Sequence, residues 1–182
     1  MRLLPSTLNH TRNASTLTNR QNESAPFPAL RRRGQRTTPP PPVTRFIIDH
    51  SVWARLGTSP AVVRAFRDIV EAHSPASIWV CPPTVTEIGF SARNGSEHDS
   101  VWTALSAFRD CPRPPTSHDA LVIQNRLWHA ALVRAVGAID TVIAAYALAN
   151  DATVLHYDSD FEHVATVMPQ FRHEWIVPRG TL

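Results

Sequence analysis

With 182 residues, 43% of them hydrophobic and 18% charged, the chain is sized for one globular core with or without a tail. All 18 basic residues are Arg, and the absence of Lys excludes a Walker A loop, a pyridoxal Schiff base and a kinase-type or receiver-type Lys together. The 6 Gly form no GxGxxG, which argues against a Rossmann dinucleotide site, and no apolar run reaches the ~18 residues of a membrane span.

The net charge of +3 hides two unlike parts. Residues 1–45 hold eight Arg against Glu23 alone, and 7 of the 16 Pro, including Pro39-Pro40-Pro41-Pro42. Segment 1–44 is expected to be a disordered, basic, Pro-rich tail, because it offers too little apolar surface to offset its ordering entropy. Its Pro run would be a polyproline II spacer. Three readings compete for the tail. The Arg31-Arg32-Arg33 cluster suits a basic arm for RNA. The Arg- and Ser-rich, acid-poor composition also suits a transit peptide, although no clear amphipathic helix is visible. The third reading is a start set too far upstream, since the folded pattern begins within about three residues of Val43.

From residue 45 to 182 the pattern alternates strands and helices. Arg45–Asp49 is a short buried strand ending in a carboxylate. Ser51–Leu56 is a short helix. Pro60–His73 is a helix with Val63, Phe66, Ile69 and Val70 on one face and Pro60 in its first turn. Ser77–Cys81 is a second strand, and Pro82 to about Arg93 a helix closed by Asn94-Gly95. A further helix is expected from about Glu97 to Phe108. Arg113–Thr116 is a linker or a poor edge strand, because its two Pro cannot donate to a ladder. Ser117–Arg134 reads as a long amphipathic helix, and Ala138–Ala149 as an Ala-rich one with Asn150 as C-cap. Ala152–Tyr157 is a third strand, Asp160–Val167 a helix and Glu174–Val177 a last strand. This alternation predicts an α/β fold: a mostly parallel central sheet with helices on both faces, a three-layer α/β/α. The two Cys, Cys81 and Cys111, read as buried free thiols of a reducing compartment.

Sites in open α/β sheets lie beyond the carboxyl ends of the strands. Asp49, Glu87, Asp140 and Asp158, with Asp160 two residues later, all fall on that rim from places far apart in the chain. Arg55 and Arg93 are the nearest basic residues in sequence. Gathered carboxylates repel one another unless something positive is present, and without Lys a divalent cation is the natural neutraliser. Oxygen ligands without clustered His or Cys select Mg²⁺, with Mn²⁺ as a substitute, over Zn²⁺. Such an ion polarises a phosphoryl oxygen and activates water, the chemistry of phosphodiester hydrolysis. Each acid also has a plainer reading. Asp140 suits the positive end of a helix, Asp158 and Asp160 suit helix caps, and Glu87 suits a solvated face.

Several stretches resemble the PIN-domain family, and in particular the VapC-type toxins of bacterial toxin–antitoxin pairs. Phe46-Ile47-Ile48-Asp49-His50-Ser51 resembles the family's opening strand and acid, and Pro82-Pro83-Thr84-Val85-Thr86-Glu87 its second acidic motif. Ile139 to Ala147 around Asp140, and Thr153 to Phe161 around Asp158, match in order and in their 18-residue gap. Glu174-Trp175-Ile176-Val177-Pro178 is similar to the closing strand. The resemblance spans about residues 45–182 and has no counterpart for the tail. It implies a PIN-like fold and a Mg²⁺-dependent endoribonuclease acting on structured or single-stranded RNA (tRNA, rRNA or mRNA). It further implies a bacterial cytoplasmic protein restrained by a VapB-type antitoxin. A homodimer is a separate expectation. Carried over, Asp49, Asp140 and Asp158 would be metal ligands and Glu87 would complete the catalytic set. Ser51 would hold a ligand or a phosphate, and Asp160 is the member whose role varies. His50 and His156 read as packing residues or as supports behind the ligands. Trp53, Trp79, Trp102 and Trp128 read as core or dimer interface. Helices near 60–73 and 84–110 would form the antitoxin groove.

The alternative is a catalytically weak PIN-like module that only binds RNA or a partner. A receiver domain is excluded by the missing Lys, and a haloacid-dehalogenase-like phosphatase by Asp49-His50-Ser51, where Asp-x-Asp is needed.

Overall fold

The computed structural model describes residues 44–182. Apart from Thr44, the expectations for the basic tail lie outside the described residues. Strands and helices alternate: β1 (Phe46–Ile48), α1 (His50–Leu56), α2 (Pro60–His73), β2 (Ile78–Val80), α3 (Pro82–Phe90), α4 (Gly95–Leu105), β3 (Arg109–Asp110), α5 (Ser117–His129), α6 (Ala138–Asn150), β4 (Thr153–His156), α7 (Asp160–Val167) and β5 (Arg172–Trp175). The strands form one sheet in the order β3-β2-β1-β4-β5, every neighbouring pair parallel. Ile47 stands in register with Trp79 on one side and Val154 on the other.

Both faces of the sheet are covered, which explains why β1 is apolar throughout and fully buried. Alternation along the strands separates two cores. Ile47 and Val154 pack with Ile123 and Leu127 of α5, Ile143 and Ala144 of α6 and Phe161 of α7. Phe46, Ile48 and Leu155 pack on the other face with Val52 of α1 and Val62 of α2. A smaller cluster of Val80, Ile88 and Leu105 seats α3 and α4. The three-layer arrangement is therefore as expected. Among the described residues no helix is long and apolar enough to cross a membrane.

The helix starts follow ordinary capping chemistry. Ser59 caps α2 ahead of Pro60, Asn94 caps α4, and Thr116 with Asp119 forms a capping box on α5. Several boundaries differ from the sequence expectations. Helix α3 ends at Phe90, and Asn94 opens α4, which runs Gly95–Leu105, instead of closing α3. The edge strand is Arg109–Asp110, and Arg113–Thr116 is the linker of the two readings offered for it. The buried Asn150 side chain takes both backbone polar groups of Arg113: its Oδ1 accepts the Arg113 N–H at 3.0 Å, and its Nδ2 donates to the Arg113 carbonyl at 2.7 Å. That segment is thus tied to the end of α6 rather than to β2. Asn150 is the last helical residue, and Asp151, in the left-handed region at φ 52°, provides the cap. Helix α5 stops at His129 rather than Arg134, because Ala131 turns left-handed (φ 57°). The Leu132 N–H then donates back to Leu127 and that of Ala131 to Trp128, a Schellman motif. Finally, β5 begins at Arg172 instead of Glu174, though the Ile176 N–H still donates to His156.

Candidate active site

Asp49 follows β1 and caps α1. Its own N–H donates to the Leu155 carbonyl, continuing the sheet, while its Oδ2 accepts the Ser51 N–H at 2.8 Å. Only 3% of the residue is exposed. Burial raises its pKa, the Ser51 and His50 hydrogen bonds oppose that, and the charge of Asp158 adds to it. Ser51 ties the site together through its side chain as well: it hydrogen-bonds Asp49, and its Oγ accepts the Tyr157 N–H at 2.8 Å. That bond fastens the start of α1 to the chain leaving β4.

Glu87 comes in the second turn of α3, after Pro82-Pro83 open the helix. Partial burial and then the charge of Asp49 raise its pKa. Asp140 lies in the first turn of α6. Its carboxyl is pushed up to about 7, by burial first and then by the charges of Asp49, Asp160, Asp158 and Glu87. Asp158 follows β4, and its Oδ1 accepts the Asp160 N–H at 3.0 Å. These four carboxylates, brought by β1, α3, α6 and the turn after β4, line one cavity of about 300 Å³ together with His50, Ser51, Ala54, Arg55 and Tyr157.

Asp160 does not line that cavity. Its Oδ2 accepts the Gly137 N–H at 2.9 Å, clasping the start of α7 to the start of α6. The space around Gly137 is tight, and a Cβ there would overlap Asp140 Oδ2. Sequence reasoning missed Tyr157 as a wall of the site. It gave Arg55 no role, although the spacing from Asp49 to Arg55 places both ends of a short helix on the same rim. The Arg55 guanidinium donates to the Ser51 carbonyl at 2.6 Å and lies 4.8 Å from the Tyr157 ring centroid. His50 lines the cavity too, and its buried Nε2 has no hydrogen-bond partner. A roomier cleft of about 500 Å³ runs along α5 past Leu121 and Trp128, but it gathers no acidic cluster, so size alone does not mark the site.

Among the described residues none of the four carboxylates is in an ion pair, although Arg55 lines the same cavity. The ion pairs among the described residues are Arg93–Glu97, Arg172–Asp151 and Arg179–Glu162, none of them in the cavity. An all-oxygen donor set that outnumbers the one Arg beside it suits a hard cation such as Mg²⁺ or Mn²⁺. Among the described residues, however, no three His, Cys, Asp or Glu side chains stand as a finished cage for one ion. The mutual repulsion that raises the pKa values also opposes closer approach.

Packing accounts for some of the remaining side chains singled out in the sequence and not for others. Cys81 and Cys111 are buried free thiols, and burial pushes Cys111 up to about 12, which keeps it un-ionised and unreactive. Trp53 donates its indole N–H to the Ile48 carbonyl. Trp102 and Trp128 are 70% and 64% exposed and so are not core.

A sequence model described as the PIN domain matches residues 46–167. Ribonuclease VapC51 of Mycobacterium tuberculosis is 41% identical over 140 residues, covering 76% of this chain and 97% of that protein. Ribonuclease VapC18 of the same organism is 34% identical over 140 residues, covering 75% and 98%. Among solved structures, the DNA-bound VapBC of Salmonella typhimurium superposes with a TM-score of 0.57 at 16% identity, over 74% of this chain and 99% of that one, a likeness of fold. The chain belongs to the PIN-domain family, and its relatives there are the VapC proteins.

Proposed function

We propose that this protein is a metal-dependent endoribonuclease, a VapC-type toxin restrained by a VapB-type antitoxin. The observation that carries the reading is the convergence of Asp49, Glu87, Asp140 and Asp158 on one cavity, none of them in an ion pair among the described residues. Relatives at 34–41% identity that are called ribonucleases support the activity. Asp49, Asp140 and Asp158 would hold Mg²⁺ or Mn²⁺, with Glu87 completing the set. When bound, the cation supplies a polarised phosphoryl oxygen and a water of lowered pKa.

The protein's own residues supply the positioning. Asp49 is fixed by the Ser51 N–H, and Ser51 in turn holds the Tyr157 backbone. Glu87, half-exposed on α3, orients the attacking water. Arg55, at the edge of the cavity, contacts the RNA backbone and adds local positive charge to an acidic domain.

Beside the active site a second cavity of about 460 Å³ is lined by Trp53, Ile88, Val101, Ala104 and Leu105. His50 and Ala54 belong to both walls. We assign this surface to an apolar helix of the antitoxin, which places it between α1, α3 and α4. The α2 part of the expected groove does not serve, because Phe66, Ile69 and Val70 pack into the core. From there an antitoxin Arg would reach the carboxylates and compete with the cation. The Salmonella typhimurium protein of like fold was solved as a VapBC, which supports a partner of this kind.

The test is cleavage of tRNA and rRNA pools by the full chain. Cleavage is expected in Mg²⁺ and not in excess chelator, and Asp49→Asn or Asp140→Asn should reduce it at least about 100-fold while the protein stays folded. Asn remains a good N-cap for α1, so the first variant keeps its helix. Undiminished cleavage in chelator would refute the metal role. RNA binding without turnover in either metal would support the binding-module alternative instead.

A further inference from the structure

His156 is fully buried two residues before Asp158. The rings of Phe161, His173 and Trp175 surround it at centroid distances of 5.0, 5.0 and 4.9 Å. Packing accounts for an aromatic residue here but not for a histidine. The ring's Nδ1 accepts the Asp158 backbone N–H at 3.1 Å. A backbone N–H can only donate, so Nδ1 carries no proton and the ring's proton sits on Nε2. Nε2 then donates to His173 Nδ1 at 2.8 Å.

The line of bonds continues past Asp158. Its Oδ1 accepts the Asp160 N–H, and Asp160 Oδ2 accepts the Gly137 N–H at the start of α6. One chain of hydrogen bonds therefore runs from the edge strand β5, through β4 and the turn into α7, to the helix that bears Asp140. Two of the four cavity carboxylates are on it or one turn from it. Without His156 the Asp158 N–H would have no acceptor inside the protein, and the turn carrying the carboxylate would lose its anchor.

We propose that His156, backed by His173, is a positioning residue for the reaction: it fixes the Asp158 backbone and, through Asp160 and Gly137, the start of α6, so that Asp158 and Asp140 face one cavity. This rests on the nuclease reading above. Two substitutions separate positioning from packing. Phe fills the ring cage but offers no acceptor. Asn leaves the cage underfilled, yet its Oδ1 accepts the N–H two residues on, as in an Asx-turn.

In the full chain, His156→Phe is expected to keep a Tm within a few degrees of wild type while kcat falls about 10- to 100-fold with little change in KM. His156→Asn should melt earlier but, below its Tm, retain kcat within about 3-fold of wild type. The ¹⁵N spectrum of the wild type should show His156 Nδ1 unprotonated and Nε2 protonated. Exchange of the Asp158 amide should be slow in wild type and in His156→Asn, and fast in His156→Phe. Wild-type kcat in His156→Phe, a loss in folded His156→Asn as large as in His156→Phe, or a protonated Nδ1 would each overturn the proposal. If wild type cleaves no RNA, the nuclease reading fails instead, and the tautomer and the Asp158 exchange still decide whether the anchor exists.

Discussion

Gly137 shows how closely single atoms are set around the carboxylates. Its φ of −64° and ψ of 155° suit any residue, so Ala there brings no backbone strain. The conflict is with Asp140, whose Oδ2 occupies the space a Cβ would need. The carboxylate must turn aside, while the Gly137 N–H to Asp160 can persist. Gly137→Ala is therefore expected to cost only about 1 kcal/mol of stability, for a poorer N-cap, yet to lower RNA cleavage about 10-fold or more. Thermal melts beside cleavage rates check this, and a variant as active as wild type would show that Asp140 has room to spare. Asp49, Glu87 and Asp158 were legible because each follows a strand end, where a parallel sheet puts its sites, and Asp140 because it opens a helix whose motif lies 18 residues before Asp158. The clasp role of Asp160 and the wall formed by Tyr157 were not. They depend on which way two side chains two or three residues apart turn, and strand periodicity does not specify that.

At the level of elements, apolar runs and caps marked the buried strands, but they could not mark β3, two exposed charged residues on an edge. Its place is set by Cys111, whose N–H donates to Val80, and by Asn150 holding Arg113. Both contacts are long-range and have no local signature. The end of α5 was hidden for another reason: apolar spacing continues through Ala130 and Ala131, while the chain actually closes in a Schellman motif with Ala131 left-handed. That conformation costs a non-Gly residue about 1–2 kcal/mol, of which part is offset by the greater unfolded-state entropy of Gly. Ala131→Gly is accordingly expected to stabilise the fold by about 0.5–1 kcal/mol, raising Tm by roughly 2–4 °C without altering cleavage. A lowered Tm would mean that the helix ends elsewhere in solution.

Across the whole molecule, the acidic cavity sets stability against function. An unfolded chain ionises Asp140 near the ordinary Asp value of 3.8, whereas the folded protein holds it at about 7. The folded form therefore gains from the Asp140 proton, and that stability is present below about 4 and lost as pH rises through about 7. His156 works in the opposite direction, since burial first, and then His173, push it down to about 4. Comparing Asp140→Asn with wild type cancels the histidine. The variant should be the more stable by about 1–2 kcal/mol above pH 7, after allowance for solvent screening of a partly exposed carboxyl. Its advantage should vanish near pH 4. A cation that binds the carboxylates together reverses that order, because it stabilises only the chain that retains all of them. The decisive measurement is thus the Tm of the full chain and of Asp140→Asn at pH 8, titrated with Mg²⁺ or Mn²⁺. Without metal the variant melts higher; with metal the wild type is expected to rise and overtake it. A wild-type Tm that ignores the metal, or an equal rise in both proteins, would contradict the claim that these carboxylates hold one ion in common.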